Sequence, residues 1–191
     1  RNIGIRNGDR VAIVLPNGIE NIATFLAVSE VATAAPLNPG YKFEEFRFYL
    51  EDTGAKALIS SPSNTPEAVQ AASNGVIRIK VGFDENRQLN FNSEGCLSDS
   101  DLGTVPARSD IALILHTSGT TARPKRVPLT HQNLLTSMGN IIETYNLTKD
   151  DVSLCVMPLF HVHGLVASTL ATLRSGGTVV VPSRFNPLGF W

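Results

Sequence analysis

Short blocks of apolar residues recur along the chain, separated by stretches in which apolar positions follow a helical spacing. Blocks that are rich in Val, Ile and Leu and end at turn residues are typical of buried strands. This pattern predicts strands at Arg10–Leu15, Ala55–Ser60, Val76–Phe83, Ile111–Leu115, Val152–Met157 and Thr178–Val181.

Apolar residues three or four positions apart predict helices between these strands. The helices are expected to start near Ile19, Phe43 and Leu134, and to cover Pro66–Ser73 and His163–Leu173. Asn17 is the expected cap of the first helix, with Glu20 as its capping-box partner. Gly54 is expected to end the second helix and Thr130 to cap the fourth.

This alternation of strands and helices predicts an α/β fold, a largely parallel sheet with flanking helices. The stretch 84–108 is polar and irregular, and it predicts a surface excursion with one hairpin. The stretch Thr117–Arg126 is predicted as a polar loop that follows an apolar strand.

Composition narrows the classes of protein to which the chain can belong. Its 191 residues are 42% hydrophobic, which excludes general disorder. Charged residues make up only 17%, below the roughly 25% of ordinary soluble domains. Either an unusual share of this chain is buried, or some of its surface normally meets more protein.

Charge and cysteine content argue against several partners and compartments. The net charge is −1 and no run of basic residues occurs, so no nucleic-acid partner is expected. No apolar run approaches a membrane span, and the first residues form no apolar signal-peptide core. The two cysteines, Cys96 and Cys155, lie far apart, which favours a reduced, intracellular setting.

The loop after the fourth predicted strand carries the most informative chemistry. Four hydroxyl side chains surround Gly119, and Lys125 follows six positions later: the hydroxyls belong to Thr117, Ser118, Thr120 and Thr121. Hydroxyls, closely approaching backbone N–H groups and a lysine suit a polyphosphate ligand. The loop is not a P-loop, because Pro124-Lys125-Arg126 replaces Gly-Lys-Ser/Thr. The alternative is a Ser/Thr-rich turn between a strand and a helix.

The order of residues in this loop resembles the signature of the AMP-forming acyl- and aryl-CoA synthetases, whose pattern is Ser/Thr-Ser-Gly-Ser/Thr-Thr-Gly-x-Pro-Lys-Gly. The matching positions are Thr117, Ser118, Gly119, Thr120, Thr121, Pro124 and Lys125. Met157–Leu165 likewise resembles the family's Pro-x-Phe-His-x-x-Gly segment. The resemblance implies that residues 1–191 are the early part of a large N-terminal adenylation domain, with the C-terminal domain absent.

The resemblance implies a reaction of ATP with a carboxylate, giving an acyl-adenylate that is then converted to acyl-CoA, usually with Mg²⁺. The nucleotide-binding residues would be Thr117, Ser118, Gly119, Thr120, Thr121 and Lys125. His161 would be catalytic, at the junction of acyl group and nucleotide, and His163 and Gly164 would bind substrate. Because the family's other active-site parts are missing, the 191 residues alone are expected to be inactive.

Other interpretations of the two histidines remain open. On a strand, the i, i+2 spacing of His161 and His163 would place both rings on one face. No third ligand lies nearby in sequence, so no metal site is predicted. A purely structural role for the histidines is the second alternative.

The resemblance is greatest to the oxalyl-CoA synthetase branch, which implies oxalate or another small carboxylate as substrate and a cytoplasmic or peroxisomal location. Coumarate-like and fatty-acid CoA ligases are competing interpretations. A hypothesis of another class is a truncated, non-catalytic chain that binds nucleotide or a partner.

Two positions depart from the family pattern, since Ala122 and Arg126 stand where glycine is usual. The oxalyl-CoA synthetase branch commonly has a small non-glycine residue at the first of these positions. If the backbone at 126 required a positive φ, arginine there would cost about 1 kcal/mol. We would then expect Arg126→Gly to raise ATP affinity.

Overall fold

A central sheet of seven strands organises the part of the chain that the structure describes. The structure is a computed structural model, and it describes residues 3–61, 65–93, 105–117, 124–182, 185–186 and 188. The strands are β1 Arg10–Val14, β2 Thr33–Pro36, β3 Ala57–Ser60, β4 Ile77–Phe83, β5 Leu89–Ser93, β6 Ile111–Thr117 and β7 Lys125–Thr130. Their order is β5-β4-β3-β1-β2-β6-β7. The inner pairs are parallel and the two outer pairs, β4–β5 and β6–β7, are antiparallel.

Helices cover both faces of this sheet. They are α1 Ile19–Ser29, α2 Phe43–Thr53, α3 Pro66–Ala71, α4 His131–Tyr145, a π-helix at His163–Leu170 and its continuation α5 Ala171–Arg174. A second, two-stranded parallel sheet pairs β8 Val152–Leu154 with β9 Thr178–Val180.

Alternating side chains of the buried strands divide the core into two layers. In β1, Val11 and Ile13 pack with residues of α1, α4 and the π-helix, whereas Ala12 and Val14 pack with α2 and α3. A strand with both faces covered must be apolar at successive positions, which explains the continuous apolar run of β1. The predicted α/β class and largely parallel sheet are confirmed.

Two strands, β2 and β7, have no counterpart in the sequence prediction, and β5 lies in the stretch for which only a hairpin was predicted. The residues of β2, Thr-Ala-Ala-Pro, have weak strand propensity, and burial between β1 and β6 stabilises them instead. The edge strand β7 contains Pro128, a residue that argues against strand in a sequence but is tolerated at a sheet edge. The hairpin predicted within 84–108 has different bounds: β5 lies in that stretch, but the strand with which it pairs is β4, which precedes it.

The helix ends follow the predictions at two of three capping sites. Gly54 closes α2 with φ 62° and ψ 49°, and the Thr130 hydroxyl accepts from the Asn133 backbone N–H at the start of α4. The cap predicted at Asn17 is wrong, because Gly18 is the N-cap of α1 and makes no side-chain capping bond. The Asn17 side chain is used elsewhere.

The small sheet presents an apolar surface to the outside. Val152 is 68% exposed, and Leu154 and Val180 are each 47% exposed. This surface is of the kind that the low charged fraction leads us to expect, and its contact with further protein stays a prediction. None of the described helices is long and apolar enough to cross a membrane.

Candidate functional site

The carboxyl ends of the parallel strands bring distant loops to one edge of the sheet. β1, β2, β3 and β6 are mutually parallel, so the segments that follow them leave the sheet at the same edge. In open α/β sheets this edge is where ligands bind. The loop after β1 contains Asn17, and the signature loop follows β6, two strands away or about 10 Å.

The signature loop joins two paired strands. Thr117, the last residue of β6, pairs with Lys125, the first residue of β7. The expected alternative of a turn from strand to helix is therefore wrong, because the chain returns as an antiparallel strand. Ser118, Gly119, Thr120 and Thr121 lie outside the described residues. Thr117 and Lys125 are both exposed at the base of the loop.

Strand alternation assigns opposite faces to neighbouring residues at the base of this loop. Leu113 and Leu115 belong to the core layer of α1, α4 and the π-helix, and Thr117 continues on their face. Directly paired residues share a face, so Lys125 lies on that side as well. His116 and Arg126 face the other side, toward α2.

Asn17 fixes the segment that precedes the two predicted histidines. Its Nδ2 donates to the Met157 carbonyl at 3.2 Å, and its Oδ1 accepts from the Leu159 N–H at 3.0 Å. One amide thus satisfies both a donor and an acceptor of a segment 140 residues away in sequence. The Asn17 contact places this segment beside the carboxyl end of β1.

His161 and His163 lie at the entrance of the π-helix and are exposed. The ring of His161 lies 4.7 Å from the ring of Phe160, measured between centroids. Neither histidine lies on a strand, so the arrangement that would place both rings on one face does not apply, and the helix predicted to begin at His163 is present. Within the described ranges, no group of three or more His, Cys, Asp or Glu residues could hold a metal ion.

Packing against the backbone of Met157 and Pro158 requires glycine at position 164, a constraint that the sequence pattern does not reveal. A Cβ there would lie 2.3 Å from the Pro158 carbonyl oxygen and 2.7 Å from the Met157 carbonyl oxygen. The Gly164 carbonyl accepts from the Thr169 hydroxyl at 2.8 Å, and the Cys155 thiol lies 3.5 Å from it. The lack of a side chain at Gly164 therefore lets the backbone of Met157 and Pro158 approach closely. The substrate role of Gly164 stays a prediction.

His116, next to Thr117 in β6, is nearly buried, with a side chain that is 5% exposed. Its Nε2 lies 3.2 Å from Asp52 Oδ2, and the Tyr49 ring packs against it edge to face. Burial lowers the pKa of His116, a trend that Asp52 opposes and the Arg126 charge reinforces. Asp52 is 64 residues away, so no local signal in the sequence predicted this pair.

Arg126 sits in β7, and its backbone is not strained. The described non-glycine residues with positive φ are Arg87 and Asn146. The premise that arginine at 126 occupies a left-handed backbone is therefore wrong. Its guanidinium donates a hydrogen bond to the Asp52 backbone carbonyl.

The model of the AMP-binding enzyme family matches residues 1–191. The chain belongs to the AMP-binding enzyme family. Among curated members, it is 44% identical to an oxalate–CoA ligase of Arabidopsis thaliana over 98% of its own length, and 42% identical to that of Saccharomyces cerevisiae over 96%. Among solved structures, ATP-bound MatB from Rhodopseudomonas palustris is 27% identical with a TM-score of 0.77, over 96% of this chain.

The chain spans only part of these family members. It covers 38% of the length of both oxalate–CoA ligases and 37% of the MatB chain. The comparisons thus assign the AMP-binding family and its fold to these residues, and they leave the activity of the whole protein to be proposed.

Gly164→Ala should lower the free energy of unfolding by about 1–3 kcal/mol, because the added methyl overpacks against two backbone carbonyls. Urea denaturation measures this loss. The matched control is Gly139→Ala in α4, where the nearest atom to the new Cβ is Arg174 Nη1 at 3.9 Å. That variant should gain about 0.5–1 kcal/mol from helix propensity. Equal stability of the two variants would contradict the packing role of Gly164.

Asn17→Ala should cost about 1–2 kcal/mol, since it leaves the Leu159 N–H and the Met157 carbonyl without their amide partner. Amide hydrogen exchange should show faster exchange at Leu159. The control is Asn140→Ala on the exposed face of α4, which should leave exchange at Leu159 unchanged and raise stability by at most about 0.7 kcal/mol through helix propensity. Unchanged exchange at Leu159 in Asn17→Ala would refute the anchoring role.

Proposed function

We propose that the chain supplies the phosphate-binding and carboxylate-facing part of an ATP-dependent acid–CoA ligase. The observation that carries the proposal is the Thr117–Lys125 pair, which closes a loop of the family signature at the carboxyl edge of the sheet. That pair shares a sheet face with the π-helix whose entrance holds His161 and His163. The early-domain assignment of residues 1–191 is part of this proposal.

The first half-reaction needs a nucleotide whose pyrophosphate can leave. A carboxylate oxygen attacks the α-phosphorus of ATP, a new O–P bond forms, and the bond to the β-phosphate oxygen breaks. Lys125 and the loop hydroxyls, with Thr117, would bind the β- and γ-phosphates and neutralise the charge of the departing pyrophosphate. The acyl-adenylate then passes its acyl group to the thiol of CoA, releasing AMP.

Mg²⁺ accompanies ATP in the proposed reaction and would lower the charge of the phosphates. The described residues offer no cluster of three potential ligand side chains for it. Magnesium is typically held by substrate phosphates, water and one or two carboxylates. We therefore assign its binding to the phosphates together with residues outside the described part of the chain.

His161 is proposed as the catalytic side chain on the carboxylate side. Its exposed ring stands next to Phe160, and Asn17 fixes the segment that leads to it. A neutral imidazole can donate to one carboxylate oxygen and leave the other free to attack. His163 and Gly164, at the start of the same helix, would border the acyl group, where helical N–H groups favour an anion.

We propose oxalate, or another short carboxylate, as the acid. The support is the similarity to two oxalate–CoA ligases at 44% and 42% identity. Coumarate and fatty acids are the competing acids. The exchange of pyrophosphate into ATP, measured with each acid in turn, decides among the three. The cytoplasm or the peroxisome is the proposed location.

Lys125→Ala should weaken ATP binding by the chain about tenfold to a hundredfold, through loss of one charge-assisted contact worth about 1.5–3 kcal/mol. Isothermal titration calorimetry measures the affinity. The matched control is Lys149→Ala. Lys149 is exposed, precedes β8 in the chain and forms an ion pair with Asp150. A wild-type chain that binds no ATP but self-associates would instead support a non-catalytic interaction role.

Carboxylate-dependent exchange between ATP and pyrophosphate, measured on the protein purified from its natural source, should be at least about tenfold faster with oxalate than with coumarate or a fatty acid. The 191 residues expressed by themselves should show no such exchange with any of these acids. Exchange with coumarate but not with oxalate would overturn the proposed substrate. Clear exchange by the 191 residues alone would overturn the early-domain assignment.

A further inference from the structure

Two adjacent cations at the base of the signature loop point in opposite directions. Lys125 pairs with Thr117, and Arg126 pairs with His116, so consecutive residues of β7 face opposite sides of the sheet. Lys125 is on the side of the π-helix and the proposed ligand. Arg126 is on the side of α2, where its guanidinium donates to the Asp52 carbonyl.

The Asp52 carbonyl is a favourable acceptor because it lies in the last turn of α2. Turn and cap N–H groups already satisfy two neighbouring carbonyls: Gly54 donates to the Glu51 carbonyl at 2.9 Å and Ala55 to the Leu50 carbonyl at 3.0 Å. A helix of this kind leaves its last carbonyls in need of donors and has a negative end. Arg126 supplies both a donor and a positive charge at that end.

The side chain of the same aspartate contacts the partner strand. Asp52 Oδ2 lies 3.2 Å from His116 Nε2, and that imidazole is almost buried. From α2, Tyr49 also faces the imidazole, at 4.7 Å between ring centroids, and Tyr41 stacks on Tyr49 at 4.8 Å. Asp52 thus holds β7 through its backbone and β6 through its carboxylate.

We infer that Arg126, Asp52 and His116 form a clamp that fixes the β6–β7 hairpin against the end of α2. This inference rests on the proposed function, and it makes Arg126 a positioning residue for the phosphates of ATP. The family pattern usually has glycine at this position, which carries no side chain to make the contact. The contact made from position 126 therefore needs a side chain that the usual glycine lacks.

The clamp reverses the sign expected for Arg126→Gly. Loss of a charged hydrogen bond between the hairpin and α2 should loosen Thr117 and Lys125 and weaken ATP binding about tenfold, measured by calorimetry. Arg126→Lys keeps a charged donor and should bind ATP within about threefold of wild type. Unfolding curves of both variants check that the chain remains folded.

A second measurement separates the clamp from a direct contact with phosphate. NMR titration follows the ring of His116 without ATP, assigned by its loss in His116→Gln. Arg126→Gly should raise the pKa of His116, because the arginine charge and the burial that lower it are reduced. Lys125→Ala, on the opposite face, should weaken ATP binding and leave the His116 titration unchanged.

The outcomes are decisive in either direction. If Arg126→Gly binds ATP as the wild type does, or if its His116 titrates as in the wild type, the clamp is overturned. If the wild-type chain binds no ATP, the proposed function and the positioning role fall together, and the His116 titration still decides whether the clamp exists.

Discussion

The antiparallel pairing of β6 with β7 is the constraint on which the candidate site depends. It brings Thr117 opposite Lys125 and turns the signature sequence into the connection of a hairpin. Paired strands fix side-chain direction with a period of two, so a shift by one residue would exchange Lys125 and Arg126 between faces. The register of one edge pair therefore determines which cation meets a ligand and which meets α2.

The other half of the site depends on contacts between residues far apart in the chain. Asn17 uses a single amide to hold the Met157–Leu159 segment, and Gly164 lets the π-helix begin directly against that segment. The buried Cys155 and Thr169 complete the polar contacts of the Gly164 carbonyl. His161 projects from a backbone that is fixed on both sides, which is the requirement for a side chain that must meet a substrate in one orientation.

Local patterns were sufficient to predict most of the fold, because apolar runs and helix caps are encoded within a few residues. They failed where tertiary context overrides propensity, as in the Ala- and Pro-containing β2 and in β7 with its edge proline. The signature loop and the His161 segment were recognised as motifs, yet their relative placement needed the sheet. The cap predicted at Asn17 is wrong because the partner of its side chain, the Met157–Leu159 segment, is distant in sequence, and the contact of His116 with Asp52 has no local signal for the same reason.

For phosphate binding, the position of individual charged side chains matters more than the net charge of the chain. A net charge of −1 gives no general attraction for a polyanion such as ATP. Lys125 and Arg126 nevertheless stand at one loop base, and strand alternation keeps the two cations from competing for one ligand. The Arg126 guanidinium donates to the Asp52 carbonyl at the negative end of α2, whereas Lys125 is exposed on the ligand side. A lysine directed to the ligand side favours a phosphate bound in one position over general attraction of anions to the surface.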